Sequence, residues 1–546
     1  MNLHPDIASA LPLWHAALLL GPVLATGAAA LLTGPRACTA TAWRGARWAA
    51  AAAVACAALS LAALLFGSQG VAHGLRADAV GAVVLLLVTF IGWIIVRYSQ
   101  PYLDGEHAER HYIRWLMATL AAVALVVTTN HVLVLVLAWT ATSLVLHRLL
   151  TFFGERPAAV VAAHKKFIVS RAADLCMLGA AGLLFAAFGT LYIDQIVSQA
   201  AALPQLPLPA QAAVLLIACA ALLKCAQLPF HGWLIQVMEA PTPVSALLHA
   251  GVVNLGGFVL MRFAPLVSEV PQAQALLVIA GASTAVLAAL VMSTRISIKV
   301  MLAWSTCAQM GFMLMQCGLG AWEMALLHLV AHSLYKAHAF LSAGGAVRRA
   351  MLARLTPRAA APGPLELAAG AVISVGMTLA AGASWGLLAP TQSVSPAIWV
   401  LAGIVALALV PLVHGQSLRL GGWWLPALLL GAFGVAFAYF GLHTLLAAWL
   451  LPEPAAPPPP LWIGVALAFS ALFLLQSVLT VAPQGALARG LYPWFYGGLF
   501  LDEKFNRIAF GLWPPPLPTS TIPALPTVDT VCAIDDASAT SSGARA

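Results

Sequence analysis

Apolar runs dominate this sequence, and they set its fold class before any single residue is considered. About 15 stretches of roughly 20 apolar residues follow one another, and each is long enough to cross the hydrocarbon core of a bilayer. Only 8% of the 546 residues are charged, which is too few to cover the surface of a soluble protein of this size. We therefore predict an all-α polytopic membrane protein with about 13–15 transmembrane helices, since helices satisfy their own backbone groups in lipid.

The runs group into four segments. Residues 1–78 hold N-terminal transmembrane helices, and residues 79–420 hold the central runs with most of the intramembrane ionisable groups. Residues 421–512 add C-terminal transmembrane helices and a cytoplasmic segment. The tail, residues 513–546, is rich in Pro, Ser, Thr and Ala and is predicted to be disordered, because its composition cannot form a buried core.

Basic residues alternate between loops, which predicts the orientation of the chain. The net charge of +8 comes from 26 Lys+Arg against 18 Asp+Glu, and arginines concentrate after odd-numbered runs. Cytoplasmic loops of membrane proteins carry this excess. We therefore predict that the N-terminus faces outward and that the C-terminus is cytoplasmic. The excess positive charge is predicted to contact membrane lipids and not nucleic acid. The arginines are Arg36, Arg44, Arg47, Arg97, Arg110, Arg156, Arg295, Arg348, Arg349, Arg354, Arg358, Arg419 and Arg489.

The seventh run, residues 210–240, is too long for one straight span. Pro229 and Gly232 fall inside it, and a proline removes a backbone hydrogen bond and clashes with the preceding turn. A broken helix is therefore predicted here. Broken helices at membrane depth are tolerated only where protein or a water-filled cavity covers the freed backbone.

Two of the six lysines, Lys224 and Lys336, lie well inside apolar runs. A lysine at mid-bilayer costs at least about 2.5–3.5 kcal/mol, so these two are predicted to be functional. A lysine removed from water releases its proton more readily, which suits proton exchange. Lys165, Lys166 and Lys299 lie nearer to run ends and are predicted to extend toward the interface.

Histidines add to this pattern in the eleventh run, residues 321–344. His328, His332 and Lys336 are spaced at i, i+4 and i+8 and therefore line one helix face. Imidazoles bind and release protons near neutral pH, so the stripe predicts a proton relay. His249, in the eighth run, would connect the helix break with this stripe if the helices pack together. A zinc-binding H-E-x-x-H motif is excluded, because Leu329 follows His328.

Two acidic residues are further candidates, each with an alternative. Asp174 could form a structural ion pair with Arg171 one helix turn away, or it could modulate the charge on Lys224. Glu239 ends the broken run and belongs either to the ion pathway or simply to the membrane interface. Both alternatives stay open at this point.

The remaining patterns predict a transporter subunit and not an enzyme. The eight cysteines are scattered, and none forms a C-x-x-C pair of the kind that binds zinc or an iron–sulfur cluster. The sequence has no nucleotide-binding glycine motif and no arrangement of a catalytic Ser or Cys. We therefore predict no catalytic residue, no metal site and no cofactor in this chain.

Several motifs resemble those of a known superfamily. The stretches Lys224–Trp233 and Met238–Ala250 are similar to the proton-channel motif of antiporter-like membrane subunits, and Ala303–Gly311 and His328–Lys336 resemble two further motifs. This superfamily includes the large membrane subunits of respiratory complex I and of multisubunit sodium/proton antiporters. The resemblance covers roughly residues 80–420 and implies an antiporter-like proton-channel core of two inverted five-helix repeats, each with a broken helix.

The sequence departs from the ion-pumping members at two places. Thr140 follows Trp139 where those members usually carry a glutamate that pairs with the lysine of the broken helix. The run at 365–388 has no lysine, although complex I-type subunits usually carry one there. A complex I-type or antiporter subunit remains the alternative, together with a membrane scaffold that retains its channel residues as relics.

Four motifs resemble a narrower family, the DabB membrane subunits of the two-component DAB inorganic-carbon accumulation complexes of bacteria. They are Met238–Pro241, Gln316–Gly320, His332–Phe340 and Gly498–Glu503. The resemblance implies a place in the bacterial inner membrane and a DabA-like, zinc-binding cytoplasmic partner similar to β-carbonic anhydrases. It also implies that a flux of protons or another cation through this chain drives the conversion of CO2 to bicarbonate by that partner.

Overall fold

Residues 11–34, 38–72, 74–355, 362–390, 394–417, 425–450 and 457–514 are described by a computed structural model. Helices account for nearly all of these residues. Those up to the first break are α1 Leu13–Leu32, α2 Thr39–Leu65, α3 Ala79–Tyr102, α4 Glu109–Thr128, α5 Val132–Leu150, α6 Pro157–Phe188, α7 Ile193–Ala201 and α8 Leu208–Lys224. The predicted disordered tail falls outside the described residues from position 515 onward.

The helices after the break form the centre and the C-terminal part. The first group comprises α9 Gly232–Gln236, α10 Thr242–Ala250, α11 Leu255–Arg262, α12 Ala264–Ser268, α13 Pro271–Met292, α14 Ile298–Gly318, α15 Trp322–Leu341 and α16 Ala346–Arg354. The second comprises α17 Pro364–Leu388, α18 Pro396–Ser417, α19 Leu425–Leu450, α20 Pro459–Val481, α21 Ala486–Tyr496 and α22 Leu501–Leu512. Short 3-10 turns lie at Val237–Glu239, Val252–Asn254, Ala343–Gly345 and Gly498–Phe500.

Thirteen spans in the described part of the chain are long and apolar enough to cross a membrane. The prediction of an all-α polytopic membrane protein with about 13–15 transmembrane helices is therefore confirmed. Two further predicted spans are also helical. The seventh is α8, which is shorter because the helix breaks at its end. The eleventh is α15, which is 20 residues long but less apolar because it carries His328, His332 and Lys336.

The predicted helix break lies after Lys224. Helix α8 ends there, turns follow, and α9 begins at Gly232. A second interruption separates α10 from α11, where Gly251 and a 3-10 turn replace regular helix. The family resemblance implied a broken helix in each of two repeats without placing the second break, and α17, in the run at 365–388, is one uninterrupted helix of 25 residues. Both interruptions instead lie next to each other in the centre of the bundle.

Close backbone contacts hold these central helices together. A Cβ atom added at Gly256 on α11 would lie 2.5 Å from Sγ of Cys225, at the end of α8. One added at Gly311 on α14 would lie 2.5 Å from the carbonyl oxygen of Gly281 on α13. Small residues let membrane helices approach in this way, and here they bring the two interrupted helices into direct contact. The span Thr242–Arg262 is entirely buried and packs against α3, α8, α14 and α15.

One short β-hairpin interrupts the all-helical pattern of the described residues. Strands β1 (Gly70–Ala72) and β2 (Leu75–Ala77) pair in antiparallel register between α2 and α3. Next to the hairpin, Asp78 caps α3 by accepting a hydrogen bond from Gly81 N at 2.8 Å and also forms an ion pair with Arg262 of α11. Strands of three residues show no detectable alternation of apolar residues, so the sequence did not predict this hairpin.

Candidate functional site

Lys224 is buried at the helix break, and all of its direct partners are neutral. Its side chain is 4% exposed. The Nζ atom donates to Ser143 Oγ at 2.9 Å, to Thr142 Oγ1 at 3.3 Å and to Trp139 O at 3.4 Å, and it lies 4.2 Å from the centre of the Trp139 ring. These three residues share one face of α5 because they are three and four positions apart. In place of the glutamate that Thr140 replaces, hydroxyl, carbonyl and aromatic groups surround the ammonium of Lys224 and form a neutral cage.

Asp174 and Arg171 join this cluster from α6. Arg171 Nη2 lies 2.6 Å from Asp174 Oδ2, so the predicted ion pair is formed. Asp174 also interacts electrostatically with Lys224. The two alternatives considered for Asp174 are thus compatible, because the carboxylate is paired on its own helix and also interacts with the lysine on the neighbouring helix α8.

Lys165 and Lys166 were predicted to extend toward the interface, and this prediction is wrong for both. Lys166 is buried and donates to Ser143 O at 2.6 Å, beside the Lys224 cluster. Lys165 is 0% exposed and points the other way, toward the C-terminal segment. Its acceptors are Asp502 Oδ1 at 2.5 Å, Asn506 Oδ1 at 2.8 Å and Gln236 Oε1 at 3.2 Å.

Lys165 is buried because α22 folds back over the N-terminal part of α6 and supplies partly buried acceptors from more than 300 positions away in the chain. Asp502 also accepts a hydrogen bond from Gln236 Nε2 of α9 at 2.9 Å. One carboxylate thereby connects the C-terminal segment to the helix that follows the break. Lys299, in contrast, stays partly exposed and donates to Thr242 Oγ1 at 2.9 Å.

Substitution of Asp502 should test this connection. Asp502→Asn leaves Lys165 with neutral acceptors, and we expect unfolding free energy to fall by on the order of 1–2 kcal/mol because hydrogen bonds to charged groups are lost and the site is partly screened by solvent. Thermal unfolding of the detergent-solubilised protein measures this. Glu503→Gln, next to it and exposed, is the control. Equal melting temperatures for the two variants would show that Asp502 does not hold the segment in place.

The second cluster lies on α15, where the predicted stripe is formed. The ring centres of His328 and His332 are 6.0 Å apart, and His328 Nδ1 lies 2.9 Å from Gln316 Oε1. Lys336 is fully buried and donates to Leu302 O at 2.9 Å. Both ring nitrogens of His332 are buried and have no hydrogen-bond partner among the described residues. They are therefore available to accept or donate a proton.

His249 approaches the stripe from α10, as the sequence predicted for packed helices. Its ring is fully buried and stacks on Phe340 of α15 at 4.4 Å, and it interacts electrostatically with Lys336. The residue lies two positions before the interruption at Gly251. Beyond that interruption, Asn254 Nδ2 donates to Ser333 Oγ on α15 at 2.7 Å. The irregular backbone of this span is thus fixed to the helix that carries the stripe.

Glu239 is the predicted site residue that the structure does not bring into either buried cluster. Its side chain is 43% exposed, and Oε2 lies 3.5 Å from Nη1 of Arg156. The alternative of an interfacial position fits this geometry. The other six predicted residues lie in the two clusters, with Lys224 and Asp174 in the first and His249, His328, His332 and Lys336 in the second.

Comparison with known proteins relates this chain to a known class of membrane protein. Residues 129–361 match the family described as "NADH:quinone oxidoreductase/Mrp antiporter, TM", and residues 65–114 match "NADH-Ubiquinone oxidoreductase (complex I), chain 5 N-terminus". The fold is similar to a chain of the Mrp complex from Dietzia sp. DQ12-45-1b, with a TM-score of 0.56, 25% identity, and coverage of 97% of this chain and 60% of that one. The central part of the chain therefore matches the membrane subunits of complex I and of Mrp antiporters, and the fold is of the same kind.

More specific relatives define the family. The chain is 44% identical over 444 residues to the probable inorganic carbon transporter subunit DabB of Hydrogenovibrio crunogenus, covering 80% of this chain and 83% of that protein. It is 38% identical to DabB2 of Halothiobacillus neapolitanus, over 81% of each chain. For subunit L of the NADH-quinone oxidoreductase of Mycobacterium tuberculosis the identity is 34%, over 52% of this chain and 44% of that protein. The chain belongs to the DabB family.

Proposed function

We propose that this chain is the membrane subunit of an energy-coupled inorganic-carbon pump in a bacterial inner membrane. It conducts protons, and their flux drives a DabA-like, zinc-binding cytoplasmic partner that converts CO2 to bicarbonate. The relatives named as inorganic carbon transporter subunits support the substrate class. The observation that carries the proposal is the pair of buried clusters, in which amines and imidazoles lie beside two helix interruptions.

The chemistry of these groups favours the proton over other cations. Lys224 and Lys336 are buried amines, and in their ammonium form they repel a metal cation in a low-dielectric interior. The same groups bind and release protons, and so do the rings of His249 and His332. Sodium would need several oxygen ligands converging on one point. A proton needs only successive groups within reach of one another or of an intervening water.

The neutral cage around Lys224 suits a lysine that must release its proton in every cycle. Hydroxyl and carbonyl groups orient the ammonium but do not bind it as a carboxylate would. Asp174 acts on the lysine while its own charge is balanced by Arg171. A complex I-type or antiporter subunit is the alternative function, and the neutral cage argues against it because those members usually pair this lysine with a glutamate.

Deletion of the gene separates the two functions. A pump subunit predicts that the deletion strain grows only at elevated CO2 and that growth in air returns when the gene is restored. A zinc-containing protein should also copurify with the tagged chain from membranes. Normal growth in air, combined with impaired NADH-dependent proton pumping, would overturn the proposal in favour of the respiratory alternative.

The histidine stripe gives a graded prediction. His328→Ala combined with His332→Ala should slow carbon uptake by about tenfold, because two proton-binding groups are lost but water can bridge part of the gap. The single His332→Ala variant should have a smaller effect. His338→Ala is the matched control, since His338 lies on the same helix but is exposed. Uptake of radiolabelled inorganic carbon, equal in the double variant and the control, would exclude the relay.

A further inference from the structure

A second buried acid–base pair lies away from the two clusters. His443 Nδ1 of α19 is 2.9 Å from Glu323 Oε1 of α15. The residues are 6% and 9% exposed, and both lie in apolar runs of the sequence. Ionisable residues within membrane spans are costly, and they mark ion pathways more often than they serve only stability. Neither residue was singled out by sequence analysis, because 120 positions separate them and no local motif contains both.

The surroundings of the pair are mostly apolar, but Tyr439 of α19 interacts electrostatically with Glu323 and donates its hydroxyl hydrogen to Ile398 O. Buried residues of one hydrophobic cluster lie close to it in sequence, among them Leu319 in the turn before α15, Met324 on α15 and Phe440 on α19. The two helices pack against each other here. An isolated carboxylate in such a place would cost several kcal/mol, and the imidazole compensates for this by sharing a proton with it. The pair can therefore gain or lose a proton as one unit while at most one net charge is buried.

Its position along α15 relates it to the histidine stripe. Glu323 is in the first turn of α15, five residues before His328, which corresponds to about 7.5 Å along the helix axis. Lys336 lies about 20 Å further along from Glu323, or roughly two thirds of the thickness of a bilayer core. Titratable groups thus lie along α15 from its first turn to the turn before its last. Glu323 is rotated by about 140° from His328 around the helix axis, so these two side chains do not share one face. The predicted orientation places the first turn of α15 on the outer side.

We propose that the Glu323–His443 pair is a proton-binding site at the outer end of the pathway. This inference rests on the proposed function and extends it. For inward flux, the Glu323 carboxylate takes a proton from the outer side and becomes a carboxylic acid. It then gives this proton to His328 through intervening water, because the two groups are too far apart for direct transfer, and this leaves a carboxylate and an imidazolium. The imidazolium passes the proton along the stripe toward Lys336 and returns to neutral imidazole.

The test compares charge removal with loss of structure. Glu323→Gln, His443→Gln and the double variant are produced together with the partner subunit, and carbon uptake is measured per assembled complex. The two amides of the double variant can still form a hydrogen bond, so this variant keeps the contact between α15 and α19. Thr444→Val, next to His443 and equally buried, is the matched control. We expect at least about tenfold slower uptake in all three variants and unchanged uptake in the control.

Four outcomes would decide between these possibilities. Wild-type uptake per complex in the double variant would overturn the inference, and so would a loss of assembly in all three variants, since either result shows a purely structural pair. Lys224→Met, measured in parallel, distinguishes this inference from the proposed function. If Lys224→Met abolishes uptake and Glu323→Gln does not, only the outer site is wrong. If Lys224→Met retains uptake, the proposed function itself fails.

Discussion

Lys224→Met should abolish carbon uptake, with a loss of about 100-fold or more, because a proton-transferring group placed in the path contributes at least this factor. The substitution removes the amine but keeps most of the side-chain volume. Membrane insertion should be retained, since replacing a buried lysine with an apolar residue removes an insertion cost of about 2.5–3.5 kcal/mol. Uptake of labelled inorganic carbon by cells that also produce the partner measures the effect.

Lys504→Met is the matched control for this experiment, because Lys504 lies on α22 and is exposed. The quantity of each variant in the membrane is compared by immunoblot, so that a failure to assemble is not mistaken for a loss of conduction. Growth in air and uptake at the level of the control would contradict a role for Lys224 in the pathway.

Thr140→Glu should slow uptake by at least about tenfold. Thr140 lies on α5 beside Trp139, whose carbonyl and ring contact Lys224, and it is close to Asp174. A glutamate there would place a second carboxylate near the lysine. An opposite charge within about 4–6 Å strengthens proton binding by one to three orders of magnitude. The lysine would then retain its proton for longer than one transport cycle allows.

Thr140→Gln provides the control, because glutamine has the size of glutamate without its charge and should slow uptake less. Sodium/proton exchange is measured in the same cells. Faster uptake in Thr140→Glu, or new sodium/proton exchange, would show that this chain is an altered antiporter and that the neutral cage around Lys224 is not an adaptation.

The features that the sequence predicted correctly depend on local patterns. Apolar runs of spanning length indicated the membrane helices, and Pro229 with Gly232 indicated the break after Lys224. The spacing of His328 to Lys336 indicated the stripe, since four-residue steps keep side chains on one helix face. Each of these signals is contained within about 20 residues, and helix geometry alone converts it into structure.

The features that it missed depend on contacts between distant segments. Buried Lys165 is paired with Asp502, and Glu323 is hydrogen-bonded to His443. Periodicity within one helix cannot identify a partner on another helix. The interruption at Gly251 was also missed, because glycine and asparagine in an apolar run do not disrupt a helix as strongly as a proline does.

Proton-driven formation of bicarbonate is tested most directly by measuring protons and bicarbonate together. The purified two-subunit complex is reconstituted into vesicles that contain a pH-sensitive dye, and a proton gradient is imposed before CO2 is added. We predict that bicarbonate formation accelerates with the gradient, that the gradient is consumed in proportion, and that Lys224→Met abolishes both. Proton coupling would be contradicted if bicarbonate formed at the same rate with and without the proton gradient. It would also be contradicted if only a sodium gradient drove the reaction.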